Sequence, residues 1–414
     1  MGCRVMAEAI SMKSGSEFAG HKLLLLSAAI GLTTSMNAAM FYSLGSFMVP
    51  LKEAFGWERG DISFATTITT LGIFLFGPLA GQLCDRFGAA AVGALSLLGY
   101  AFMVVVMSLT VQSLWGLWVF YFLIAFFGVG STPIVLVRPI TAGFDKQRGL
   151  ALGIALTGAG LAGFWVPNLV TAVIGDYGWQ AGYWAIAATA VLAAPIVWFG
   201  FRPSEQRATL AAVNGAVKTG LTFGEARKTR SFVLVSMLAF SMALGIGGMI
   251  VHLNPLFQDM GASAAAAAGL ASIIGISSSV SRLLTGLSLD RFPARLVSVA
   301  VIGLGALGIA VIWFGGLNLG IPGVILIGVL LGAELDLLAY LTSRLFGQLA
   351  FGAIYGWMYS LFSIGFGLGP LLVGRMHDYF GSYDNALLTC IALLAGAAMV
   401  AFGLGGRSPK KNSE

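Results

Sequence analysis

Charge is what this chain has least of. Asp, Glu, Lys and Arg make up only 10% of its 414 residues, against roughly 25% in soluble domains. So few charges cannot clothe a water-facing surface, which excludes an ordinary soluble protein. Cysteine is scarce too, and Cys3, Cys84 and Cys390 stand far apart with no metal or redox spacing. No G-x-x-x-x-G-K-[ST] loop occurs, so nucleotide hydrolysis is not the expected energy source. No nucleophile–base set, metal-ligand cluster or cofactor motif points to an enzyme. The net charge of +6 comes without a basic stripe and interleaved aromatics, so a nucleic-acid partner is not expected. No cleavable leader is expected either: residues 1–20 are polar and read as a cytoplasmic tail. Cys3 follows Met1-Gly2, but the myristoylation pattern wants Ser or Thr where Met6 stands.

What the chain has in plenty is apolar sequence. Hydrophobic residues account for 58%, the mean hydropathy is +0.90 and Gly occurs 57 times, as expected where helices pack closely in lipid. Twelve apolar spans are read at about 23–49, 62–83, 89–110, 115–142, 149–174, 181–201, 231–256, 264–288, 294–315, 320–343, 351–374 and 385–405. Most reach the roughly 20 residues that cross a bilayer. The predicted fold is therefore an all-α membrane protein. If the N-terminus is inside, 18 of the 23 Lys and Arg fall in inner segments. Only Lys52, Arg59 and Arg375 fall outside, and Arg138 and Arg282 lie within spans. That bias places both termini in the cytoplasm.

The sequence also repeats. Gly81-x-x-x-Asp85-Arg86-Phe87 after span two matches Gly286-x-x-x-Asp290-Arg291-Phe292 after span eight, 205 positions on. Pro167 in span five matches Pro370 in span eleven, 203 positions on. The expected organisation is a tail (1–22), a six-helix bundle (23–202), a charged cytoplasmic linker (203–230), a second six-helix bundle (231–405) and a tail (406–414). Within the linker, Thr222 to Arg230 reads as a short basic surface helix. Parallel repeats of this kind place a substrate site between the halves, near mid-membrane.

Arg282 is the residue that most needs a reason. It sits in the apolar run that begins near Leu270, and an arginine mid-bilayer costs roughly 2.5–3.5 kcal/mol on insertion scales. Its planar fork suits a carboxylate. The alternative is a structural ion pair with Glu334 or Asp336.

These residues resemble the major facilitator superfamily. Gly81-Gln-Leu-Cys-Asp85-Arg86-Phe-Gly88 is similar to its loop motif between spans two and three, although Ala89-Ala90 replace the usual basic pair. Within it the chain resembles monocarboxylate transporters and their bacterial relatives. That resemblance rests on Phe55-Gly-Trp57-Glu-Arg59, Arg148-Gly-Leu-Ala-Leu-Gly153 with Gly158 and Gly160, His252-Leu-Asn-Pro255, Gly332-Ala-Glu334-Leu-Asp336 and Tyr340-Leu-Thr-Ser-Arg344-Leu-Phe-Gly347. It implies the twelve-helix major facilitator fold, with Arg282 as the span-eight arginine that binds a substrate carboxylate. Ser278 stands where that family carries an aspartate, and no lysine falls between Leu23 and Val49. The usual proton-coupling pair is thus missing.

Other candidates follow from chemistry. Arg138 offers a second cation for substrate, or an inner-gate bond to Asp85 or carbonyls. Glu334 and Asp336 stand two positions apart, about 200° around a helix, and so are expected to face different ways. Asp336, Tyr340 and Arg344 share a stripe and read as a structural network, leaving Glu334 as the freer proton carrier. His252 is a second proton candidate, or a helix-end residue near Pro255. Asn37, Phe41, Tyr42, Tyr121, Tyr355 and Tyr359 could line a path for an acid with an apolar body, or simply pack. Gly81, Asp85, Arg86, Gly286, Asp290 and Arg291 form the expected gating motif. Gly153, Gly158 and Gly160 read as close helix contacts.

The expected function is secondary active transport of a small organic anion, a monocarboxylate, by proton-coupled symport across a bacterial inner membrane, with one chain as the working unit. The alternative is a dicarboxylate exchanger using Arg138 and Arg282 together.

Overall fold

The computed structural model describes residues 17–18, 20–213 and 219–404. The rest of the two expected tails, and the middle of the 203–230 connection, lie outside the described residues.

The fold is all-α, and each apolar run in the sequence becomes one helix or one broken helix. Span one is Lys22–Thr33 plus Met36–Phe55, and span two is Arg59–Phe87. Span three is Ala89–Thr110; span four begins as Leu114–Gly128 and continues in short turns to Gly143. Spans five and six are Arg148–Tyr177 and Trp179–Val213. Spans seven to twelve are Arg230–Asp259, Ala264–Arg291, Ala294–Gly315, Gly320–Phe346, Phe351–Phe380 and Asp384–Gly403. Twelve spans bring both ends of the chain to one face, called here the termini end.

Among the described residues, ten stretches are long and apolar enough to be membrane spans on that ground alone, one of them covering spans nine and ten together. Span eight carries Ser277, Ser278, Ser279, Ser281 and Arg282.

Spans one and four are broken where they touch. Breaking a helix in lipid frees backbone groups that other protein atoms must satisfy. Ser35 caps the second half of span one by accepting from the Ala38 amide at 3.4 Å. The Met36 amide donates to Ser131 Oγ at 3.0 Å, within the break of span four. Tyr100 OH donates to the Thr34 carbonyl. The break in span four also turns the chain so that Arg138 begins a new short helix, Arg138–Gly143.

Two expectations about the connection between halves need correction. The helix of span six continues through Pro203 to Val213, because its last turns are polar and can leave the apolar layer still helical. The basic helix expected over 222–230 is one turn only, Phe223–Ala226. Thr222 and Glu225 close a capping box on it, and the chain turns before span seven starts at Arg230.

Candidate functional site

The two bundles meet along two seams at the termini end, and the repeated motif builds both. Glycine makes the close approach. A Cβ on Gly81 would collide with the Gly352 carbonyl, and one on Gly286 with the Gly149 carbonyl. The aspartate four residues on then reaches across. Asp85 accepts from the Gly352 amide (3.1 Å) and the Ala353 amide (2.9 Å), at the start of span eleven. Asp290 accepts from the Gly149 amide (2.7 Å) and the Leu150 amide (2.9 Å), at the start of span five. Each carboxylate caps the positive end of a helix in the opposite bundle. The motif thus makes the same contact twice.

Arg138 belongs to this seam. Its Nε donates to Asp85 Oδ1 at 2.9 Å, so the place expected for it at the substrate is corrected: the break in span four delivers it to the aspartate cap. Arg86 and Arg291, expected in the gate, are both exposed. Arg86 stacks over Phe87 at 5.1 Å instead. Helix periodicity turns each arginine away from the seam its neighbouring aspartate faces.

A further layer at this end went unread in the sequence. Arg344 donates to Asp145 at 3.2 Å, and Gln348 Nε2 donates to the Thr141 carbonyl at 3.1 Å. Arg148 is buried, donating to the Phe144 carbonyl (2.8 Å) and Ser343 Oγ (3.3 Å). Glu17 accepts from the Lys146 and Gln147 amides, just before span five. Nothing in local sequence pattern pairs residues so far apart, although the short loop 144–147 carries Asp145, Lys146 and Gln147 in a row.

Deeper between the bundles lies a different kind of cluster. Arg282 is 8% exposed and Asp336 is fully buried. Their nearest charged atoms, Nη1 and Oδ2, stand 3.9 Å apart, beyond hydrogen-bond length. Glu334 is also buried and lies within electrostatic reach of both. Among the described residues, Arg282 Nη1, Glu334 Oε2, both Asp336 carboxylate oxygens and Tyr355 OH have no hydrogen-bond partner. An unsatisfied buried polar group costs about 1–3 kcal/mol, so five in one place is a large concentration of unused capacity. Tyr355, Tyr359 and Tyr42 all lie within electrostatic reach of Arg282. Tyr42 comes from span one, in the other bundle, so the cluster sits at the bundle interface.

The packing that assembles it is glycine-based. A Cβ on Gly332 would meet the Ser278 carbonyl, and one on Gly328 would crowd Ser277 at 2.6 Å. Spans eight and ten therefore run backbone to backbone. One turn beyond Ser278 is Arg282; one turn beyond Gly332 is Asp336. Span five supports the same point, since a Cβ on Gly153 would lie 2.6 Å from the Arg282 carbonyl. Gly158 is likewise closed against the backbone of Ala29, and Gly160 is looser, 3.7 Å from Ser279.

Several expected members are elsewhere. Asp336 is not networked with Tyr340 and Arg344: Tyr340 OH donates to the Leu289 carbonyl at 2.8 Å, and Arg344 reaches Asp145. The 200° argument failed because Arg282 is long enough to feel both carboxylates. Tyr121 is in the core of the first bundle, its OH 3.4 Å from Tyr183 OH, and Tyr183 is stacked on Phe47. His252 is spoken for at both ring nitrogens, Nε2 by the Pro370 carbonyl (3.0 Å) and Nδ1 by Tyr383 OH (3.1 Å). Pro370 lies three turns beyond Tyr359, so His252 stands away from Arg282. Asn37 is half-buried at the first turn of Met36–Phe55, with no described contact to the cluster. Phe41 is half-exposed and packs edge-on against Tyr42.

The chain is similar to known proteins in sequence and in fold. Monocarboxylate transporter 11 of Homo sapiens is 24% identical over 404 residues, covering 92% of this chain and 82% of its own length. Monocarboxylate transporter 13 of Rattus norvegicus is 26% identical over 375 residues, covering 86% and 83%. Among solved structures, the transporter FucP in its outward conformation superposes with a TM-score of 0.71 at 15% identity, covering 93% of this chain and 99% of that one. The human organic anion transporter MFSD10 superposes at 0.69, also at 15% identity, with the same two coverages. The family description Major Facilitator Superfamily matches residues 30–370. With its twelve spans, its twice-used glycine–aspartate seam and that match, the chain belongs to the major facilitator superfamily of membrane transporters.

Proposed function

We propose that the chain is a secondary active transporter of a small monocarboxylate, driven by proton symport through alternating access. The observation that carries this is the buried Arg282–Glu334–Asp336–Tyr355 cluster with its unused donors and acceptors. The relatives named as monocarboxylate transporters support the substrate class.

Charge balance supports the coupling. Two carboxylates against one guanidinium leave one negative charge, and a buried net charge is costly. One proton shared by Glu334 and Asp336 makes the empty site neutral. A substrate carboxylate on Arg282 adds a negative charge, and a second proton restores neutrality. Substrate and proton then cross together, and the neutral load is what lets the bundles rock around it. Tyr355 OH and Arg282 Nη1 donate to the carboxylate; Tyr42 and Tyr359 bound its apolar body. Ser278 cannot hold a proton, so span ten takes the role that the resemblance assigned to span eight.

The Lys and Arg bias makes the termini end cytoplasmic. The seams of Asp85 and Asp290 are then the inner gate, closed in this conformation. Patterns such as His252-Leu-Asn-Pro255 favour a bacterial inner membrane. The whole cluster comes from one chain, so one chain is the working unit. The dicarboxylate exchanger is not favoured, because Asp85 holds Arg138 away as a second anion contact.

The test is uptake of labelled monocarboxylates into proteoliposomes under an imposed pH gradient. Wild type accumulates the acid and Arg282→Gln does not. Equal uptake by the two proteins contradicts the proposal.

A further inference from the structure

The glycines of span five are closed by different things. Cβ atoms on Gly149, Gly153 and Gly158 would each strike the backbone of a neighbouring span. A Cβ on Gly163 would instead meet a side chain, the ring of Tyr42, with three ring carbons at 3.1, 3.2 and 3.4 Å. A backbone contact sets how close two helices run. A ring contact sets where a side chain can lie.

The two helices themselves are held by other means. On one side of the ring, Gly158 closes on the Ala29 backbone and Trp165 Nε1 donates to Thr33 Oγ1 at 2.8 Å. One turn past Tyr42 on span one, Ser46 Oγ accepts from Thr171 Oγ1 at 2.9 Å. Spans one and five are thus tied on both sides of Tyr42, so bulk added at Gly163 moves the ring rather than the helices.

The ring has somewhere to go. Tyr42 is 38% exposed and lies within electrostatic reach of Arg282 and Glu334 across the bundle interface. Tyr359, which comes from the other bundle, is 2% exposed and wedged between the rings of Tyr355 (6.1 Å) and Phe362 (6.0 Å). One jaw of the site is fixed, and the other rests on a glycine.

Given the acid site proposed above, we infer that Gly163 sets the longest acid that site accepts. It seats the Tyr42 ring against span five, clear of the space taken by the acid's apolar body. Gly163 is a positioning residue, since it acts through Tyr42. A larger residue there drives the ring into that space and shortens the acid that fits. Removing the ring lengthens it.

The test is calorimetric binding of straight-chain acids, from acetate to octanoate, to the full-length protein in detergent. Wild type binds about fourfold more tightly with each added methylene, up to a limit, and then more weakly. Gly163→Ala lowers affinity at that limit slightly and Gly163→Val by about tenfold or more, while acetate binds both variants as it binds wild type. Tyr42→Ala moves the limit to a longer acid. Gly163→Val/Tyr42→Ala then binds the series as Tyr42→Ala does, because no ring is left to push. An unchanged series in Gly163→Val overturns the inference, as does a loss shared equally by acetate and the longer acids. So does the same valine penalty in the Tyr42→Ala background, or wild-type affinity that climbs to octanoate without a limit. Wild type that binds none of these acids overturns the acid site itself, and this inference with it.

Discussion

The seams at the termini end and the cluster at Arg282 are built from the same materials and finished differently. Both bring an aspartate and an arginine to a point where glycines let helices touch. At the seams the chemistry is complete: Asp85 and Asp290 each accept two amide hydrogen bonds, and Asp85 also holds Arg138. At the cluster it is unfinished, with five polar atoms lacking partners among the described residues. A satisfied buried charge network holds structure together, whereas an unsatisfied one waits for something the protein does not supply. That difference is the physical ground for proposing a gate at the seams and a binding site at the cluster.

Substitutions sharpen that contrast. The largest effect is expected from Arg282→Gln, which lowers uptake by about 100-fold or more, as truncating a buried charged contact costs 2–5 kcal/mol. Its uptake assay at several substrate concentrations distinguishes lost binding from slowed turnover. Next come Glu334→Gln and Asp336→Asn. Each removes one proton site, so accumulation against a gradient falls at least about tenfold, while exchange of labelled for unlabelled acid survives better. Such a split between coupled and uncoupled flux is what loss of one protonation equilibrium produces.

The seams respond otherwise. Gly286→Val drives a side chain into the Gly149 backbone, where overpacking costs roughly 1–3 kcal/mol. It is expected to open the termini end, raising the reactivity of a cysteine introduced at Ser343 about tenfold, with binding affinity in detergent little changed. Reactivity equal to that of the Ser343→Cys parent would show that the seam tolerates the added bulk. Smallest of all is His252→Gln, since that histidine bonds Pro370 and Tyr383 outside both regions. It lowers thermal stability by about 1 kcal/mol and leaves uptake near wild type. A large uptake defect there would return His252 to the proton path.

The same contrast explains what could be read from the sequence. The spans were legible because a bilayer imposes length and apolarity on each of them. The seams were legible in part, because Gly81-x-x-x-Asp85 and Gly286-x-x-x-Asp290 repeat the same local device. Their partners were not, since Arg138 reaches Asp85 only through the break in span four. Arg282 announced itself as a charge in an apolar run. Glu334 and Asp336 were both named as possible partners, but the counting of 200° between them set one apart, because it treats side chains as short. The missed signal was a register: Gly328, Gly332 and Asp336 lie four apart on span ten, and Ser278 and Arg282 four apart on span eight. Tyr121 and His252 were misplaced for a different reason. Polar tips in apolar helices suggest a path, but each found a partner in its own bundle.

Calorimetry of substrate binding in buffers of different ionisation enthalpy tests the central claim most directly, because it counts protons taken up with each bound carboxylate. The account predicts about one proton per carboxylate for wild type, a value near zero for Asp336→Asn or Glu334→Gln, and no measurable binding for Arg282→Gln. Binding without proton uptake in wild type, or undiminished binding by Arg282→Gln, would contradict it.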